Sequence, residues 1–502
     1  MELVFENQTI DFLRQIVSKT VTQEQTQELI VPDSYPDCAR IVFTGANALV
    51  RGKECRDGSM TLTGGVRAGV LYIPEDGTQP RALECYIPYA FRVDDAQATA
   101  QMQLCAVCRV KSADARLINS RKILVRVNLV CELTGYTPAS QTIPRLTQAP
   151  DQLQTKTAQY RLVLPQEYTE KSFAMSEDLE IPASEPQMEK IVQYWVSPEI
   201  SEQKLVGNKA VFKGTAGLKI LFLTPDGSPA VYERQLPFSQ YCELQSDEDD
   251  REAQLQLCVT GSELELVQTD EGGKLLVSLN LLCQCLTFGA CEVTLTQDAY
   301  ATRGSFTPQW SEIALCSRLD RQTMYETLRG SVPAQARAVI DSTIYLDAPA
   351  QQKTDGAVQF TAPATVNILY YDADGALQSA IVRDQAVCTM AAEHCAVCQA
   401  RVQPGRDGYA APSGGGMDVR YEVSFDISCC CEQTLRALAG GTLEEGGEKT
   451  AEKFCVIVKT NPKTQSIWEL AKEYRTTQQA IAQANNLTTD EAEQGMLLLI
   501  PV

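Results

Sequence analysis

One seven-residue stretch occurs three times in this chain, and it constrains the fold more than any bulk property does. Leu71-Tyr72-Ile73-Pro74-Glu75-Asp76-Gly77 returns as Leu221-Phe222-Leu223-Thr224-Pro225-Asp226-Gly227, and again as Leu369-Tyr370-Tyr371-Asp372-Ala373-Asp374-Gly375. Asp76 and Asp226 lie 150 residues apart, and Asp226 and Asp374 lie 148 apart. So even an interval implies one module tripled, so function belongs to a repeated unit plus whatever follows it.

Around each repeat the apolar residues alternate with polar ones, as in Ile41-Val42-Phe43, Met60-Thr61-Leu62-Thr63 and the run 66–73. A period of two marks half-buried strands. The Asp-Gly between such runs predicts a tight hairpin in which glycine supplies the positive φ. In the first copy a strand at 68–73 turns there and returns at 82–87, with further strands at 102–110 and 123–133. The counterparts are 253–267 and 275–286 in the second copy, and 394–402 and 419–428 in the third. We expect about five strands per copy in a small sandwich or rolled sheet. Segments 137–156 and 440–449 read as linkers, 404–416 as an expanded glycine-rich loop, and the acidic run 247–252 as a solvated loop.

A chain of 502 residues is too long for one core. Its net charge of −20 disfavours nucleic acid and anionic membrane surfaces as partners. The opening MELVFENQTIDFLRQIV has neither a basic stretch nor an uninterrupted apolar one, so no signal peptide is expected, and no apolar run approaches the roughly 20 residues that span a bilayer. The expected compartment is the cytosol. Nineteen cysteines are then expected to be reduced thiols acting as small core hydrophobes rather than disulfides.

The last fifty residues differ in type. A short strand at 454–458 leads to a helix capped by Ser466, with Ile467, Leu470, Ala471 and Tyr474 at helical spacing. A second helix runs from Thr477 to Asn485-Asn486, and a strand closes the segment at 497–500. The predicted fold class is mainly β: three tandem β-rich modules at 1–140, 160–290 and 305–438, plus a small α+β domain of order βααβ at 452–502.

The tail resembles a LysM domain through Trp468-Glu469-Leu470-Ala471, Tyr474 before Thr476-Thr477, Asn485-Asn486-Leu487, and the ending Gly495 to Pro501. Where that family usually has Pro-Gly-Asp-Thr beside its glycan groove, this chain has Asn461-Pro462-Lys463-Thr464-Gln465-Ser466. The repeats resemble the SPOCS domain through Pro32-Asp33-Ser34-Tyr35-Pro36-Asp37, the Asp-Gly hairpin, and Ala115-Arg116-Leu117-Ile118-Asn119-Ser120-Arg121-Lys122. Several SPOCS copies followed by one LysM domain is the arrangement of SipL-type spore coat morphogenetic proteins. That resemblance implies a non-enzymatic protein of the mother-cell cytoplasm. It would bind the coat-basement ATPase and other coat proteins at the forespore surface, with LysM as a protein-interaction module. The alternative is binding of peptidoglycan glycan at the cortex or wall. The resemblance also implies a partner- or glycan-binding face made by Lys463, Thr464, Gln465, Ser466, Trp468, Asn485, Asn486, Leu487 and Thr488.

No catalytic residues, metal site or cofactor are expected. His394 is the only histidine. Cys105-Ala106-Val107-Cys108 and His394-Cys395-Ala396-Val397-Cys398 resemble ligand pairs, but they occupy equivalent strand positions, and the second copy has Leu257-Cys258-Val259-Thr260-Gly261 there. A tetrahedral zinc site needs four ligands, and a redox Cys-x-x-Cys normally opens a helix. Buried strand cysteines are the expectation. Cys429-Cys430-Cys431 cannot all face one way on a strand, so at least one should be exposed. Arg116, Arg121 and Lys122 form the strongest basic cluster in an acidic chain, and are a candidate electrostatic contact to a partner.

Overall fold

The computed structural model describes residues 3–182, 184–248, 250–269, 272–392, 396–444, 455–459, 466–487 and 495–502. The first copy has six strands: β1 (Val4–Ile30), β2 (Cys38–Arg56), β3 (Ser59–Pro74), β4 (Arg81–Asp94), β5 (Gln103–Asn119) and β6 (Lys122–Gln148). The second has β7 (Leu153–Ile181), β8 (Lys190–Val206), β9 (Lys209–Leu223), β10 (Pro229–Glu243), β11 (Arg251–Thr269) and β12 (Gly272–Ala301). The third has β13 (Ser305–Val332), β14 (Ala336–Leu346), β15 (Ala350–Thr354), β16 (Ala357–Asp372), β17 (Leu377–Ala391), β18 (Ala396–Ser413) and β19 (Gly416–Glu444). The C-terminal domain is β20 (Cys455–Lys459), α1 (Ile467–Glu473), α2 (Gln478–Asn485) and β21 (Leu497–Pro501). No helix among the described residues is long and apolar enough to cross a membrane.

Each copy is two antiparallel sheets, one in the order first–sixth–fifth strand and one in the order second–third–fourth. The third copy keeps this plan with its second strand broken into β14 and β15, both paired to β16. Pro349 stands at the break and has no N–H to give the ladder. The Asp-Gly hairpins form as expected: Gly77, Gly227 and Gly375 have φ of 70°, 78° and 80°. Their N–H groups bond to the carbonyls of Pro74, Thr224 and Asp372, the same closure each time. Central strands bury one face by strict alternation, as in Ile123, Val125, Val127, Leu129 and Cys131 of β6, which face Met60, Leu62, Val66, Ala68 and Val70 of β3 in one core.

The longest strands run well beyond the bounds expected from local alternation. Segment 137–156 is not a linker: 137–148 is the end of β6 and pairs with β1, and 153–156 opens β7. Nor is 404–416 a long loop, because β18 runs to Ser413 and turns tightly into β19. The first and sixth strands of every copy bend at one repeat-equivalent bulge, where Ile16, Gln166 and Leu319 have no register partner. On one side of the bulge each ribbon packs in its own sandwich, and on the other it enters a core common to all three copies.

That common core joins Ile10, Phe12 and Ile143 of the first copy to Leu162, Leu164, Val293 and Leu295 of the second and Ile313, Leu315, Leu435 and Ala437 of the third. Phe12, Leu162 and Leu315 are equivalent positions, each four residues before the bulge. A second shared cluster gathers Phe43 and Leu71, Trp195 and Leu221, and Leu369 and Leu377 from the three copies in turn. The repeats therefore close into one body in which each touches both others, rather than hanging as beads.

Polar contacts fix the three junctions. Between the first two copies, Gln284 is 1% exposed and its side-chain amide bonds both the N–H and the carbonyl of Ala106, at 2.9 Å each. Lys53 donates beside it to Gln284 Oε1 (2.6 Å) and Tyr168 Oη (2.8 Å). Lys219 of the second copy pairs with buried Asp341 of the third and donates to the Ser342 carbonyl. Arg40 of the first donates to the Leu377 carbonyl of the third at 2.7 Å.

Candidate functional site

The C-terminal domain forms for the reasons legible in its sequence. Ser466 Oγ accepts from the Glu469 N–H and Thr477 Oγ1 from the Ala480 N–H, so each helix begins at a hydroxyl cap. Asn486 ends α2 in the left-handed region at φ 51°. Ile467, Leu470, Ala471 and Ile481 from the helices meet Leu498 and Ile500 from β21 in a small core. The βααβ order is as expected.

The domain is also docked. Trp468 is 3% exposed, and its ring lies edge-on to Tyr300 of β12 with centroids 4.9 Å apart. Its indole Nε1 donates to Asp298 Oδ2 at 2.8 Å, Lys472 Nζ pairs with the same carboxylate at 2.7 Å, and Tyr300 Oη donates to the Thr476 carbonyl at 2.8 Å. Burial raises the Asp298 pKa, but the hydrogen bonds from Lys472 and Trp468 and the Lys472 charge outweigh it and hold the carboxyl below its ordinary range. Burial, with the Asp298 charge adding to it, pushes Tyr300 up to about 12.

A bulge at Gln297 precedes Asp298 and turns the strand end toward the helices. The positions 150 residues earlier are Gln148, Ala149 and Pro150, in place of Asp298, Ala299 and Tyr300. The first copy thus lacks both anchors, and the seat belongs to the second.

This geometry engages part of the expected binding face within the chain itself. Trp468 is covered by the chain's own β12 rather than offered to a partner. Asn485 is also engaged: its side chain donates to the Ile481 and Leu499 carbonyls and accepts from the Leu499 N–H, tying α2 to β21. Ser466 is the helix cap, and Leu487 packs partly against the small core. Asn486 is exposed. Lys463, Thr464, Gln465 and Thr488 lie outside the described residues.

The basic cluster is likewise partly internal. Arg121 sits in the β5–β6 turn and donates to the Tyr35 and Val31 carbonyls and to Asp33 and Asp37. It thereby clamps the proline-rich crossover between the two sheets. Hydrogen bonds from Ser120 and Arg121 hold Asp37 below the usual carboxylate range. Lys122 pairs with Glu28, and Arg116 is exposed.

Among the cysteines, Cys398 and Cys429 are joined in a disulfide, which corrects the expectation of thiols throughout. Cys105, Cys108, Cys131, Cys258, Cys283 and Cys285 are free and buried. Cys431 is buried and Cys430 half-buried. No group of three or more metal-ligating side chains suited to a metal ion occurs among the described residues. His394 and Cys395 lie outside them.

No curated protein and no solved structure matches the chain at a significant level. Two family matches do. Residues 168–267, the body of the second copy, match the family described as SipL, SPOCS domain, and residues 463–501 match the LysM domain. The first and third copies share the strand plan of the matched one. The chain therefore carries a SipL-type SPOCS domain in its second copy and a LysM domain at 463–501.

Proposed function

We propose that this protein is a non-catalytic component of spore coat assembly, in which a closed body of three SPOCS modules carries a LysM domain used for protein contact. It acts in the mother-cell cytoplasm at the forespore surface, with the coat-basement ATPase and other coat proteins as partners. The observation that carries this reading is the joining of the two matched domains in one chain, both of kinds that bind rather than catalyse. The docked geometry favours protein over glycan as the LysM ligand. Trp468 and Asn485, an aromatic and an amide suited to a sugar, are already engaged within the chain. Because the repeats form one body, they offer surfaces at fixed spacing, so multivalent capture would need no flexible linker.

The test uses the full-length protein. It is mixed in parallel with the purified ATPase and with purified spore peptidoglycan, and bound fractions are separated by sedimentation. Binding to the ATPase with little to peptidoglycan supports the proposal. Peptidoglycan binding without ATPase binding replaces it with the glycan reading.

A further inference from the structure

We propose that Cys108 and Cys131 are the site of a second cross-strand disulfide, the counterpart in the first copy of Cys398–Cys429 in the third. Cys105-Ala106-Val107-Cys108 and Cys395-Ala396-Val397-Cys398 are the same tetrapeptide at the same place in the repeat. In the third copy Cys398 of β18 stands directly opposite Cys429 of β19, and the two sulfurs are bonded. In the first copy Cys108 of β5 stands directly opposite Cys131 of β6. Both are free, both are buried in the same core at 8% and 0% exposure, and their thiols are within hydrogen-bonding reach. Cysteines facing each other across an antiparallel ladder satisfy the short Cα separation that a disulfide demands. The second copy provides an internal contrast, since Cys258 faces Leu282 and has no thiol opposite.

Oxidised glutathione supplies the oxidant. One protein thiolate attacks a glutathione sulfur and releases glutathione thiolate. The second protein thiolate then attacks the protein sulfur of the mixed disulfide and releases a second glutathione. Both protein thiols lose a proton and together lose two electrons, which the oxidised glutathione takes up as it becomes two thiols. The folded site is dry, so exchange occurs while the β5–β6 hairpin exists but has not yet packed on the other sheet. That hairpin turns over Ser120 and Arg121 alone, and its local pairing makes it an early element. The bond would pin β5 beside Arg109, which donates to Glu132 of β6 and to the Leu346 carbonyl of the third copy. The link thus lies at the contact that closes the first copy against the third.

The full-length chain is unfolded and refolded in a glutathione redox buffer or in phosphine reductant. Free thiols are alkylated, and the chain is digested without reduction for mass spectrometry. A parallel sample comes from a host with an oxidising cytosol and needs no refolding. The expected result is two linked peptide pairs, Cys108 with Cys131 and Cys398 with Cys429, in the oxidised samples and neither in the reduced one. Cys108→Ala should remove the first pair alone. The proposal is overturned if Cys398–Cys429 appears without Cys108–Cys131, if Cys108 links to another cysteine such as Cys105, or if neither pair forms.

Discussion

Replacing Asp298 with alanine tests whether the LysM domain is seated on the second SPOCS module through this one carboxylate. The substitution deletes the acceptor of the Trp468 indole and the counter-charge of Lys472. A hydrogen bond to a charged group contributes about 1.5–3 kcal/mol. The Lys472 pair, with side chains 42% and 24% exposed, is screened by water and adds at most about 1 kcal/mol. Together they predict a loss of about 2–4 kcal/mol of docking free energy, which is about 30- to 700-fold in the undocking equilibrium at tenfold per 1.4 kcal/mol. Hydrogen–deuterium exchange reads this directly, because α1 and the Thr476 region should lose protection by that factor while β3 and β6 keep theirs. The sign of the pH dependence follows from the depressed pKa. A carboxylate stabilised in the docked state contributes fully above its ordinary range, and that contribution fades as pH falls through the lowered value. Wild-type docking should therefore loosen in acid, and the Asp298→Ala chain should show no such transition. Unchanged protection of 466–476 in the variant would refute the seat.

Three further expectations follow, two from the junctions and one from the crossover of the first copy. Gln284→Ala leaves the buried N–H and carbonyl of Ala106 without partners, so urea unfolding should show a loss of about 2–4 kcal/mol at an unchanged m-value. Gly69→Ala would place a Cβ 2.0 Å from the Val192 carbonyl oxygen across the first–second junction, so small-angle scattering should report an expanded body while circular dichroism still shows strands. Arg121→Met should expose the 31–37 crossover to proteolysis without weakening ATPase binding, because the guanidinium faces inward to Asp33 and Asp37.

What the sequence disclosed was local. The Asp-Gly turns, the hydroxyl caps at Ser466 and Thr477 and the alternation of β6 each depend on neighbours within a few residues, and each could be read directly. Strand β1 was missed because its partner lies more than 90 residues away and the half beyond Val17 is largely exposed and rich in threonine and glutamine. Segment 137–148 carries threonine, glutamine and proline because only one side of this two-stranded ribbon enters the shared core, and its pairing is long-range. The seat of Trp468 was invisible because Asp298 and Tyr300 are some 170 residues earlier and look like an ordinary strand end. Arg121 looked like a surface charge because its partners sit across the module. Local rules identify elements, whereas the contacts that decide what is free to bind are set by topology.

The pairing of the first strand of each copy with its sixth also governs how the chain can be made. Val4 has no partner until Gln148 has emerged, at the far end of the same copy. At a synthesis rate of 5–20 residues per second, that is a wait of about 7–30 seconds for an open strand edge. The amides and charges of its outer half, Gln23, Glu24, Gln25, Gln27 and Glu28, oppose chance pairing with other nascent chains during that interval. A composition that concealed this strand from sequence analysis is thus well suited to keeping it soluble on the ribosome.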